Sequence, residues 1–158
     1  MSFISVLLLF VFPTLIEVRE VSRGLHPAVL SQGGLSSALQ TLARRSTLPL
    51  TIDAAIDRRL PESVEVAAYY VVAEALANAA KHAQATAVAV CAHSMTDHLR
   101  ITVRDNGVGG ADLANGSGLI GLKDRIETLG GTMRLVSPRG GGTSLQATIP
   151  VETEICRV

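Results

Sequence analysis

From residue 86 to residue 105 the chain alternates. "TAVAVCAHS" and "LRITVRD" carry apolar side chains at every second position on either side of the polar turn "MTDH", the period of a half-buried β-hairpin. "LPLTIDAAI" alternates in the same way, with Leu50, Ile52 and Ala54 on one side. Elsewhere the period lengthens to that of a helix. "GGLSSALQTLARRS" gathers Leu35, Ala38, Leu39 and Leu42 on one face. A long helix is expected from about Pro61 to Ala83, with proline and glutamate suiting its first turn and Val66, Tyr70, Ala73, Leu76, Ala77 and Ala80 as its apolar face. "GSGLIGLKDRIETLGG" opens on glycines and becomes a helix that buries Leu119, Leu122, Ile126 and Leu129.

Upstream, "IEVREVSRGLHPAVL" predicts a helix ending near Gly24, because glycine suits a helix end and the residue before Pro27 is biased away from the α region. A boundary is therefore expected between residues 24 and 33. The first 16 residues, "MSFISVLLLFVFPTLI", are almost wholly apolar. As a helix they would reach ~24 Å, short of the ~30 Å hydrocarbon core of a bilayer. They also lack the basic start and small-residue cleavage site of a signal peptide. A buried or partner-facing helix, a membrane-associated remnant and an artefact of the gene start all remain open for them.

Composition narrows the classes of function. A length of 158 residues suits one domain with a short appendage, and a formal net charge of zero argues against a broad nucleic-acid surface. Aromatic residues make up 3% of the chain, so the core must come from Ala, Val, Leu and Ile, and base stacking on an aromatic platform is not expected. Cys91 and Cys156 form neither a disulfide framework nor a metal cluster, which fits a reducing cytoplasm.

Two stretches carry chemistry. In the long helix, Glu74, Asn78 and His82 recur every fourth residue with Lys81 beside them, a polar stripe in an apolar helix. A solvated face would explain it; so would a magnesium shell in which a carboxamide oxygen takes one position and phosphates and water the rest. The second stretch is "RDNGVGGADLANGSGLIGLKDR". Asp105 ends the strand as a carboxylate acceptor suited to an exocyclic amine, and glycines follow at 107, 109, 110, 116, 118 and 121. Such glycines suit either a mobile loop or an anion held by the N–H groups of a helix start. The setting is neither a dinucleotide-binding turn, which needs a βαβ crossover, nor a P-loop, which ends in Gly-Lys-Ser/Thr.

Taken in order, these pieces resemble a known family. "EALANAAKH", "DNGVGG" and "GSGLIGL" look like the asparagine box and the two glycine boxes of the ATP-binding domain of sensor histidine kinases, a fold shared with gyrase-type topoisomerases, heat-shock chaperones of the ninety-kilodalton class and mismatch-repair ATPases. The Lys-His pair, the short lid and the ending "GGGTSLQATIP" resemble the subgroup that works with LuxR-type response regulators, and "VREVSRGLHPAVLSQGGLSSAL" resembles its passage out of the second dimerisation helix. The resemblance spans about residues 17–151. It implies an α+β fold, a two-layer α/β sandwich of the Bergerat type, in which helices cover one face of a mixed, mainly antiparallel sheet. The implied division is an apolar segment 1–16, the end of a dimerisation helix and linker 17–32, the ATP-binding domain 33–151 and a tail 152–158.

The resemblance also implies roles. Asp105 would accept from the adenine amine, with Gly107 beside it and Gly109 letting the backbone approach the base. Asn78 would bind the magnesium ion of ATP, Lys81 and His82 would face the phosphates, and Gly116, Gly118, Leu119 and Gly121 would form the lid hinge and phosphate-facing turn. Thr143 would lie near the adenine, acting through water. Glu74 would polarise a nucleophile or order the metal's water. The implied partners are ATP, a dimerisation domain bearing the phosphoacceptor histidine and a LuxR-type regulator, with no nucleic acid. The expected location is cytoplasmic, with membrane contact only through residues 1–16.

Three departures qualify this picture. The phosphoacceptor helix has no counterpart in the sequence, and His26, followed by proline in "LHP", is not a substitute, so the chain is expected to bind ATP without phosphorylating itself. Lys123 stands where the family often has arginine, which loses a planar fork of donors. His93 and His98 lack metal-ligand spacing. The chain therefore reads as a kinase ATP-binding domain, with a non-catalytic nucleotide-binding module and a stand-alone ATPase using Glu74 as the alternatives.

Overall fold

The computed structural model describes residues 28–114 and 117–151. The expected helix before Gly24, His26, Gly116, Cys156 and the terminal segments 1–16 and 152–158 lie outside the described residues. The elements run α1 (Ala28–Arg45), β1 (Leu50–Ala55), α2 (Glu62–Lys81), β2 (Val88–Ser94), β3 (His98–Asp105), α3 (Ser117–Thr128), β4 (Thr132–Val136) and β5 (Thr143–Pro150). The five strands form one open sheet in the order β1-β2-β3-β5-β4. Only β1 joins its neighbour in parallel; every other pairing is antiparallel. The expected mixed, mainly antiparallel sheet is what the chain forms.

Alternation along the strands decides the layers. Leu99, Ile101 and Val103 of β3, Val88, Val90 and Ala92 of β2, and Leu145, Ala147 and Ile149 of β5 point to one side and are buried. Arg100, Arg104 and Gln146 point to the other side and are exposed. The helices contribute Leu35, Ala38, Leu39, Val71, Val72, Leu122 and Ile126 to the same core. Each fully buried Leu, Ile or Val of this set is worth about 1.5–3 kcal/mol of transfer free energy. Among the described residues, no helix is long and apolar enough to cross a membrane.

Two details differ from the sequence pattern. The buried stripe of α2 is Val64, Ala67, Ala68, Val71, Val72 and Ala79, together with Tyr70. Of the face expected from spacing, Tyr70 is buried, Val66, Ala73, Leu76 and Ala77 are half-buried, and Ala80 is exposed. Alanines on every side of this helix leave no sharp apolar sector, so tertiary packing chooses the face. In α1 the residues ahead of the expected Gly33 are already helical from Ala28 on, and a break falls at Gly34, where φ is 66°.

That break is built around a buried charge. Glu65 is 1% exposed, and its carboxylate accepts from Arg59 Nε and a terminal guanidinium nitrogen at 3.1 and 3.0 Å, and from Leu60 N–H at 3.1 Å. The same guanidinium nitrogen donates to Leu30 O at 3.1 Å. A Cβ on Gly34 would stand 3.0 Å from Arg59 Nε. The Glu65 carboxylate, by hydrogen bond and charge, holds Arg59 above its already high range. One ion pair thus ties the first turns of α1 and α2 together.

Candidate functional site

The inner row of β3 runs Leu99, Ile101, Val103 and then Asp105, so the fourth member of an apolar row is a carboxylate. Asp105 lies opposite Val88 on β2 and Thr143 on β5. Thr143 likewise ends the inner row of Leu145, Ala147 and Ile149. A half-buried carboxylate and hydroxyl are therefore side by side at the polar end of the sheet's inner face. Asp105 Oδ1 accepts from Gly107 N–H at 2.8 Å, which fixes the carboxylate at the start of the glycine loop.

That loop is braced on both sides. Toward α2, Val108 N–H donates to Ala83 O at 2.7 Å, and a Cβ on Gly107 would collide with Ala83. Asn106 secures the same side. Its Oδ1 accepts from Thr86 and Ala87 N–H at 2.9 and 3.0 Å, and its Nδ2 donates to Thr86 Oγ1 at 2.8 Å. Toward the β4–β5 turn, Gly110 N–H donates to Ser137 O at 2.9 Å, Gly140 N–H donates to Val108 O at 2.6 Å and Ala111 N–H donates to Ser137 Oγ at 3.0 Å. Gly109 has φ 65°, and a Cβ there would run into Pro138 O. Its bare backbone serves the contact with the β4–β5 turn.

The polar stripe of α2 forms a second wall. Glu74 and Asn78 are half-buried, while Lys81 and His82 are exposed at the helix end, where His82 N–H caps Asn78 O at 2.9 Å. Ala83, one residue on, touches the glycine loop, so the stripe leads directly to Asp105's end of the sheet. The Glu74 carboxylate lies against Gly118, where a Cβ would collide with it. Glu74 thus meets the first turn of α3. Lys81 has no ion pair among the described residues.

The glycine-box residues divide. Gly118 is the second residue of α3 and packs on Glu74, whereas Gly121 lies inside α3, exposed, with nothing within 4 Å of where a Cβ would be. Leu119 enters the core. Lys123 makes a 3.7 Å ion pair with Glu127 one turn on, and Arg125 lies 5.2 Å from the Tyr70 ring centroid, pinning α3 to α2. His93 faces Asp53 at 3.1 Å and His98 faces Asp97 at 2.7 Å, neither partner being a residue of the Asp105 end of the sheet. Asn106 and Ser137 are the two bracing residues that the sequence did not announce. The Asn of "DNG" carried a turn signal, but nothing local marks a serine whose partners lie in two other segments.

No group of three or more His, Cys, Asp or Glu side chains that could hold a metal occurs among the described residues. Asn78 and Glu74 offer at most one amide and one carboxylate oxygen. Such a donor set fits an ion that arrives with phosphates and water completing its shell, and not a cage made by the protein alone.

Comparison with known proteins shows the family and the fold. Residues 63–153 match the family described as histidine kinase-, DNA gyrase B-, and HSP90-like ATPase. The sensor histidine kinase LiaS of Bacillus subtilis is 31% identical over 144 residues, covering 87% of this chain and 40% of that protein. The nitrate/nitrite sensor protein NarX of Escherichia coli is 30% identical over 145 residues, covering 89% of this chain and 23% of that protein. The chain spans between 31% and 40% of the length of the first curated relatives it matches. Among solved structures, the ATP binding domain of PrrB from Mycobacterium tuberculosis superposes with a TM-score of 0.59 at 25% identity, covering 75% of this chain and 92% of that one. The histidine kinase domain of the EL346 blue-light activated kinase of Erythrobacter litoralis, at 22% identity and a TM-score of 0.58, shares the fold; it covers 73% of this chain and 58% of that one.

Proposed function

The chain belongs to the histidine kinase-, DNA gyrase B- and HSP90-like ATPase family, and from that premise we propose that it is the ATP-binding catalytic domain of a two-component sensor histidine kinase. The observation that carries the reading is the polar end of the sheet's inner face. Asp105, fixed by Gly107 N–H, stands opposite Thr143, between a braced glycine loop and the Glu74–Asn78 stripe. A carboxylate acceptor beside a hydroxyl suits the amine edge of adenine. The stripe, with Lys81 at its exposed end, suits a triphosphate.

In this role the chain binds and orients ATP, and a histidine on a dimerisation helix receives the γ-phosphoryl group. Asn78 would take one position on a magnesium ion, which supplies charge neutralisation of the phosphates. Lys81 would add positive charge, and His82 and the glycine box of Gly116, Gly118, Leu119 and Gly121 would serve the same phosphates. Glu74, already at the first turn of α3, would polarise the incoming imidazole. The protein's contribution is positioning and charge stabilisation, which carry most of phosphoryl-transfer catalysis. Residues 17–32 would lead in from the dimerisation domain to the ATP-binding domain 33–151, and the regulator served would be of the LuxR type. A cytoplasmic location goes with this role, and residues 1–16 are the one segment that would touch a membrane.

Calorimetric titration of ATP, with and without magnesium, into the full chain and into Asp105→Ala tests the site. Saturable binding that is lost in Asp105→Ala is expected. Binding of equal strength in both proteins would sink the assignment of Asp105. A supplied dimerisation helix should then acquire acid-labile phosphate from labelled ATP; its failure to do so while ATP binds would favour a non-catalytic module.

A further inference from the structure

The face of the sheet that carries no helix has a charge pattern of its own. The core helices lie on the inner face, and no described helix covers the outward side chains of β3, β5 and β4. β3 presents Arg100, Thr102 and Arg104 there, and β4 presents Arg134 in register with Thr102. β5 runs between them and offers Ser144, Gln146 and Thr148, all uncharged. The three arginines are exposed. None has an ion-pair partner among the described residues, whereas Asp53, Glu65, Asp97 and Glu127 each pair with a histidine, arginine or lysine elsewhere.

Opposite charges facing each other across strands would stabilise such a surface, and like charges gain nothing from it. No acid occupies an outward position between Arg100 and Arg104 on β3, or beside them on β5 and β4. The excess is local, since the whole chain has a formal net charge of zero and lacks the broad field that gathers a nucleic acid or an anionic bilayer. Its geometry is a trough. β3 and β4 are two strand spacings apart, ~9.6 Å, with arginines on both sides of the β5 floor. An α-helix with its side chains is ~10–12 Å across. Along β3, Arg100 and Arg104 are ~13 Å apart, and Arg134 lies level with the midpoint between them. Carboxylates at positions i and i+7 of a helix are ~10.5 Å apart on one flank, a difference that long arginine side chains span, and i+3 turns toward the other flank about halfway along. The guanidinium fork takes a carboxylate in two parallel hydrogen bonds. Val136, 47% exposed at one end of the trough, adds an apolar contact.

We propose that this face docks an acidic helix of a partner protein, laid along β5 with carboxylates at i, i+3 and i+7 set between Arg100, Arg104 and Arg134. These side chains leave the sheet on the face opposite Asp105, so the docking is independent of the nucleotide site.

The test is fluorescence anisotropy of a labelled ~20-residue helical peptide of alanine and glutamine, with glutamates only at i, i+3 and i+7, titrated with the full chain. A second peptide of the same composition has its glutamates at i, i+2 and i+5, spread around the helix. The wild type should bind the first peptide at least ~3-fold more tightly than the second. Each of Arg100→Gln, Arg104→Gln and Arg134→Gln should weaken binding by ~2- to 5-fold, and the triple variant by ~10-fold or more. Raising the salt from ~0.02 to ~0.2 M should weaken it as well. Where the triple variant fails to fold by circular dichroism, the single variants carry the same expectation. Equal binding by wild type and variants, or a wild type that binds both peptides alike or neither, would overturn the proposal. So would tighter arginine-dependent binding to vesicles of phosphatidylcholine and phosphatidylserine, or to a random-sequence DNA duplex, than to the first peptide.

Discussion

Replacing Gly109 with alanine probes how the glycine loop is held. The residue has φ 65°, where an L side chain costs ~1–2 kcal/mol. Its new Cβ would overlap Pro138 O and stand 2.9 Å from both Pro138 C and Gly142 O, all backbone atoms that cannot rotate away. Relief requires the β4–β5 turn to move, an overpacking cost of about 1–3 kcal/mol. The total expected for Gly109→Ala is about 2–5 kcal/mol, a large part of a typical domain's stability. For a chain of this size, each kcal/mol lowers the melting temperature by about 2–4 °C. Gly140→Ala is the control. Its φ is 76° but nothing lies within 4 Å, so it bears the conformational cost alone. Thermal unfolding of both variants by circular dichroism should place Gly109→Ala well below Gly140→Ala. Equal melting temperatures would refute the claim that contact with the Pro138 turn, and not backbone freedom alone, demands glycine at 109.

Other expectations follow from single contacts. Asn106→Ala removes the acceptor for Thr86 and Ala87 N–H and should cost ~1–2 kcal/mol in chemical denaturation, whereas Asn106→Asp, which keeps the acceptor, should cost less. Gly121→Ala has open space and a helical backbone, so it should raise stability by about 0.5–1 kcal/mol; ATP titration of the same variant shows whether the glycine is kept for the ligand. The hydrogen bond from His98, with help from Asp97's own N–H, holds the Asp97 carboxylate below the usual range. A lowered carboxylate stabilises the fold above its unfolded pKa of ~3.9 and loses that contribution as pH falls through the folded value. Asp97→Asn should therefore melt below wild type at pH 7, and the gap should narrow as pH falls below ~3.9 towards the lowered folded value. A gap that stays constant with pH would exclude the ionised carboxylate as its source.

Much of the architecture could be read from the period of apolar residues. The β2–β3 hairpin, the strand at Leu50 and the inner rows of the sheet follow from alternation, and alternation also exposes Asp105 as a polar residue in an apolar row. The buried face of α2 was not legible, because its many alanines blur the helical period and because Glu65, which looks like a solvated first-turn acid, is neutralised by Arg59 from another segment. Short β4, with exposed Thr132 and Arg134 alternating with half-buried Met133 and Leu135, gave too few periods to stand out. Ser137 and the need for glycine at 118 depend on contacts between distant segments, with Thr143 and Ala111 in one case and Glu74 in the other. Such contacts leave no local trace.

The single parallel pairing has a consequence for how the sheet opens. β2 and β3 close through a short turn, β4 and β5 pair as sequence neighbours, and β3 pairs with β5 across α3 and β4, all in antiparallel ladders. β1 joins at one edge through the 20-residue α2 crossover, and among the described residues its other edge has no strand. Its backbone amides should therefore exchange with deuterium before those of β3, which is flanked on both sides and should report the global opening of the domain.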